Sequence, residues 1–137
     1  MKLYTEKIEK DWGYELIRVN NKEEDYCSKI LHIKENKGTS MHYHLNKHET
    51  FYVRKGTFRI DIMDPYTVKR VTHILSEGDV FEITRGQAHQ LIAHQGDVDV
   101  DETSTYSATE DSYRVWREIR NVGDDTLSYT DEVTRSN

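Results

Sequence analysis

The chain has 137 residues, a length that suits one compact domain, and a formal net charge of -6 from 25 acidic and 19 basic residues. Its Lys and Arg are scattered among acids, as in Lys7–Ile8–Glu9–Lys10–Asp11, which leaves no basic patch for nucleic acid and no cationic face for a membrane surface. The apolar runs are too short for a transmembrane helix or a secretory signal, which points to a cytoplasmic protein, and the single Cys27 excludes an internal disulfide and reads as an idle or buried thiol.

Residues 4–11 are compatible with a short turn of helix, and no later segment shows a sustained helical stripe. From Ile30 onward the pattern has a period of two, with Leu31 and Ile33 opposed to Ile30 and His32. The next segment carries His42–Tyr43–His44. In an extended chain residues two apart project to the same side, so His42 and His44 form a chelating pair. Glu49 then opens a run in which Glu49, Phe51 and Val53 share a face. A carboxylate on an otherwise apolar face needs a partner, and a metal cation is the best one available. After a further strand marked by Phe58, Ile60 and Ile62, the stretch Gly78–His89 reads as strand, turn and histidine. His89 leads Leu91 and Ala93 on one face and supplies a fourth ligand.

Turns are expected at Asn36–Lys37–Gly38, Arg54–Lys55–Gly56, Asp64–Pro65–Tyr66, Ser76–Glu77–Gly78–Asp79, Arg85–Gly86 and Gln95–Gly96–Asp97. Many short strands between close turns indicate an all-β protein, a small antiparallel β-barrel or jelly roll. Asp97–Val98–Asp99–Val100–Asp101 is similar to the opening of a calcium loop, but Glu102 stands where that loop needs Gly and Ala108 where it needs Glu. The alternation instead puts Val98, Val100 and Glu102 on one face. If the valines face the interior, Glu102 is a second inward carboxylate, free for proton transfer beside the metal. His32, His48, His73 and His94 are read as structural or exposed. The domain spans residues 1–123, and Asp124–Asn137 forms a polar tail or a last edge strand.

Two stretches resemble the paired motifs of the cupin superfamily. The first, H-x-H-x4-E-x6-G, is met by His42, His44, Glu49 and Gly56. The second, G-x5-P-x-G-x2-H, is met by Gly78, Gly86 and His89, with Thr84 in the Pro position. The resemblance implies a cupin barrel whose three His and one Glu hold a single divalent metal ion, with Mn, Zn, Fe and Ni all suited to such donors. Trp12–Gly13–Tyr14–Glu15, Glu102–Thr103–Ser104–Thr105 and Asp111–Ser112–Tyr113–Arg114 look similar to segments of sugar-isomerase cupins, the type II phosphomannose isomerases and D-lyxose isomerases. That likeness implies a sugar or sugar-phosphate substrate, aldose–ketose isomerisation with Glu102 as the proton carrier, and Lys47 or Arg114 holding a phosphate or hydroxyls. A Fe(II)-dependent dioxygenase and a non-catalytic sugar-binding cupin are the competing readings. A homodimer is the default assembly, since a small barrel leaves strand edges to pair.

Overall fold

The computed structural model describes residues 5–122. Nine strands follow in chain order: β1 Glu6–Lys10, β2 Gly13–Asn21, β3 Tyr26–Ile33, β4 Met41–Tyr43, β5 Glu49–Met63, β6 Arg70–Leu75, β7 Val80–Ile83, β8 Ala88–Ser104 and β9 Tyr113–Trp116. Every strand pairing is antiparallel, so the all-β antiparallel barrel expected from the alternation is the observed class. No helix long and apolar enough to cross a membrane occurs among the described residues. The polar tail of residues 124–137 lies outside them.

The short helical turn expected near the start is a strand instead. β1 folds back on β2 with Lys10 opposite Gly13 and Glu6 opposite Ile17. An isolated helical turn leaves most of its amides unpaired, whereas this hairpin gives them partners on the sheet.

Two more expected turns, at 54–56 and 95–97, are bends inside unbroken strands. β5 and β8 remain each other's partners on both sides: Glu49–Val53 lies against Ser104–Val100, and Thr57–Met63 against His94–Ala88, with register shifts between Val53 and Thr57. Bulges of this kind bend a strand and increase its twist without ending the pairing. Gly56 sits at the bend with φ of 89°, and a Cβ there would collide with the Asp97 carbonyl oxygen. Only glycine meets both demands.

The bend lets one long β5–β8 ladder serve both halves of a single curled sheet. The second half of β8 continues to β3, β2 and β1, its first half to β4 and β9, while β6 and β7 line the other edge of β5. Between the layers lie Phe51, Val53, Phe58, Ile60, Leu91 and Val100, each all but fully buried. The outer face of the first half of β8 is also covered. Buried Arg59 and Arg70 grip Asp61 at 2.7 and 2.8 Å, Arg70 reaches the Asn121 carbonyl, and Gln90 donates to the Glu118 carbonyl. These bonds draw the chain after β9 across the sheet. The apolar core thus fills one end of the barrel and leaves the other to charged side chains.

Candidate metal centre

The polar end begins with β4, which carries His42 opposite His89 of β8 in the sheet register. His44 follows one residue beyond β4, and Glu49 opens β5. The fold places these four side chains, from three strands and one turn, near one another, with Glu49 carboxylate oxygens 3.8 Å from His44 Nε2 and 3.1 Å from His89 Nε2. The ring nitrogens of His42, His44 and His89 lie within 4.8 Å of one another.

Each ring is fixed by its Nδ1, which donates to a backbone carbonyl: His42 to Ser40 at 2.7 Å, His89 to Gln87 at 2.8 Å and His44 to Asp111 at 2.6 Å. A neutral imidazole whose Nδ1 carries the proton has its lone pair on Nε2, and carbonyl partners of this kind orient metal-binding histidines. Glu49 is buried, and its Oε2 stands 3.1 Å from His89 Nε2. With Nδ1 donating to Gln87, a neutral His89 turns the lone pair of Nε2 towards that carboxylate, and neither Nε2 nor Oε2 has a hydrogen-bond partner among the described residues. Two acceptors facing each other in a dry site need a cation between or beside them, so the residues present fit a divalent ion.

The protonation states agree with that donor set. Burial first, and then the neighbouring His89 and His44, push His42 down from 6.5 to about 3. Burial works against charge on Glu49, but His89 in its protonated form, Lys47 and His44 outweigh it and hold the carboxyl well below the usual range, so the carboxylate is set to face a cation at that position. The His42 shift sets a stability profile for the metal-free protein. Unfolded His42 takes up a proton near its ordinary value and folded His42 does not until about 3, so the folded state loses stability as pH falls through that window. Denaturant unfolding of the metal-free protein at stepped pH should show this loss, with a shallower slope in His42→Asn. Parallel profiles for the two proteins would refute the assignment.

Around the histidines lies a cavity of about 1200 Å³ whose walls include Trp12, Lys29, Lys47, Glu102, Ser107 and Arg114. Glu102 is buried and inward, as the Val98–Val100 alternation implied. Lys47 is also buried, and its ammonium lies 3.0 Å from Glu49 Oε1 and 3.0 Å from Glu102 Oε2. Burial opposes its charge, but Glu102 and Glu49 more than compensate and hold it protonated. The structure thus ties Lys47 to two carboxylates in the wall, whereas Arg114 carries no ion pair among the described residues and lines the cavity beside His42, its register partner. His32 pairs with Asp99 and His48 with Glu82 on outer surfaces, and His73 packs against Phe81, all away from the centre.

Three residues of the site were not singled out by sequence reasoning. Lys29 bonds Glu15 at 2.8 Å and sits 3.5 Å from Ser107 Oγ, which also faces Lys47. Lys29 shares a strand face with Leu31 and Ile33, and that alternation was a usable signal. Asp111 accepts from three backbone amides across the chain and has no local pattern to betray it.

Residues 29–105, more than half of the chain, match the family model described as Cupin domain. No curated protein matches the chain. Among solved structures, oxalate decarboxylase from Bacillus subtilis is similar with a TM-score of 0.71 at 18% identity, over 81% of this chain and 30% of that one. The capsular polysaccharide assembling protein CapF from Staphylococcus aureus is similar with a TM-score of 0.72 at 16% identity, over 80% of this chain and 34% of that one. The chain spans about a third of the length of these proteins, and at such identities the likeness shows the fold. With its bent antiparallel barrel and its histidines at the polar end, the chain belongs to the cupin domain family.

Proposed function

We propose that this cupin is a metal-dependent enzyme acting on a sugar or sugar phosphate, with aldose–ketose isomerisation as its reaction. His42, His44, His89 and Glu49 would hold one divalent ion, from the set Mn, Zn, Fe and Ni, which when bound polarises a carbonyl oxygen. The observation that carries the reading is Glu102: a second buried carboxylate in the same cavity, kept apart from the four donors by Lys47. An isomerase needs a group that takes a proton from the carbon beside a carbonyl and returns it to the neighbouring carbon. Glu102 has the placement for this, buried at the cavity wall with its Oε2 3.0 Å from the Lys47 ammonium. Arg114, with no ion pair among the described residues, would hold a phosphate or hydroxyls at the cavity wall, and Lys47 would orient the two carboxylates it bridges. We also take the protein to be a cytoplasmic homodimer, which the strand path supports by ending in β1 and β9 at its two edges.

A panel of sugars and sugar phosphates incubated with metal-loaded protein in heavy water tests the reading. Deuterium should enter at C2 of the true substrate, and no incorporation across the panel would sink the isomerase. A second reading, a Fe(II)-dependent dioxygenase, is favoured by the three converging imidazoles beside a carboxylate, since that shell also suits iron and oxygen. Oxygen uptake by the iron-loaded protein in the same panel would select it, and ligand binding without either reaction would select a non-catalytic sugar-binding cupin.

A further inference from the structure

The three histidines are not oriented in the same way. The carbonyls that hold His42 and His89 belong to Ser40 and Gln87, two residues before them in the chain. The carbonyl that holds His44 belongs to Asp111, at 2.6 Å across a separation of 67 residues. Its position therefore depends on how the 105–112 segment is fastened.

Asp111 does that fastening itself. Its buried carboxylate accepts from Leu45 N at 2.9 Å, from Asn46 N at 3.1 and 3.2 Å and from Lys47 N at 3.1 Å. These are the successive amides of the turn between His44 and Glu49, and a carboxylate in such a concavity makes strong charge-assisted bonds. One residue thus clamps that turn with its side chain while its main chain selects the His44 tautomer. Because the clamped amides include that of Lys47, the same residue also bears on the ammonium that bridges Glu49 and Glu102. The far end of the segment has separate ties: Asn20 exchanges bonds with Ser107 N and O, and Asp25 accepts from Tyr106 N.

We infer that Asp111 is the positioning residue of the centre, a latch that presents His44 Nε2 to the metal. The inference rests on the metal reading above, but its first test does not use metal. In the metal-free protein, imidazole nitrogen resonances should report His44 protonated at Nδ1, and Asp111→Ala should shift His44 alone towards mixed tautomers while His42 and His89 stay unchanged. Co(II) titration should then show affinity lowered roughly 10- to 100-fold in Asp111→Ala, with an altered visible absorption band, and lowered less in Asp111→Asn, which keeps one acceptor oxygen. Asn20→Ala, which frees only the far end, should leave both readouts at parental values. A folded Asp111→Ala with unchanged His44 resonances and parental Co(II) affinity would overturn the inference. If that variant does not fold, an Asp111→Asn with unchanged resonances and parental affinity would overturn it equally. Failure of the parent to bind Co(II) would count against the metal reading instead, while the metal-free spectra still decide the latch.

Discussion

Glu102→Gln should lower turnover by about 10²- to 10⁴-fold, the usual contribution of a positioned proton carrier, while leaving metal uptake at the parental level. The expectation is sharp because Glu102 lies outside the donor set. It meets Lys47 at 3.0 Å, whereas Glu49 Oε2 and His89 Nε2 are buried with no hydrogen-bond partner among the described residues. Glutamine has the same shape and keeps an oxygen to accept from Lys47, so packing is preserved and only proton acceptance is lost. The effect should fall on kcat with little change in KM, since no substrate contact is removed. Metal content and deuterium exchange measured on one sample decide it: retained exchange would remove Glu102 as the base, and lost metal would make it a ligand.

Lys47→Met attacks stability before it attacks chemistry. The substitution keeps an apolar stem of similar length but deletes the cation between two buried carboxylates, and breaking a buried pair in this way costs about 3–5 kcal/mol. In the metal-free protein that cost should appear in full at pH 7. Lys47 is one of the charges that hold the Glu49 carboxyl below its ordinary 4.5, so its loss raises the folded value of Glu49. The parent keeps Glu49 ionised to lower pH than the variant does, so the deficit should shrink as pH falls through the variant's raised folded value. A divalent ion should also recover part of it, because Glu49 then regains a cation. Denaturant unfolding stepped from pH 7 down to 3, with Zn(II) added at pH 7, measures both effects. A metal-free variant as stable as the parent at pH 7 would show that the bridge contributes nothing.

Much of this centre was legible because strand geometry is local. His42 and His44 needed only the two-residue repeat, Glu49 only the apolar company of Phe51 and Val53, and Glu102 only the valines that precede it on β8. The cupin resemblance added which separate strands meet. What escaped depends on backbone brought together from afar. Asp111 acts on amides 64 to 66 residues away, and nothing near it in sequence marks that. Lys29 stood on a readable face, but its meaning comes from Glu15 on a neighbouring strand. Lys47 reads as a substrate contact because a basic residue beside a ligand suggests anion binding; its bridge from Glu49 to the distant Glu102 emerges only from the packing of β5 against β8. The bends at Gly56 and Gly96 read as turns in the sequence for the same reason, since glycine marks a change of direction without saying whether pairing resumes beyond it.

The bend in β8 also governs the parity of the site. Before it, odd-numbered residues face the interior, as His89, Leu91 and Ala93 do; after it, the even-numbered Val98, Val100 and Glu102 face inward. β5 makes the matching switch, from Glu49, Phe51 and Val53 to Phe58 and Ile60. On an uninterrupted strand His89 and Glu102, one odd and one even, would point to opposite sides of the sheet. The extra residue absorbed at the bend is what lets a single strand deliver both a candidate ligand and a candidate base to one chamber, so the spacing between them tolerates change only in steps of two.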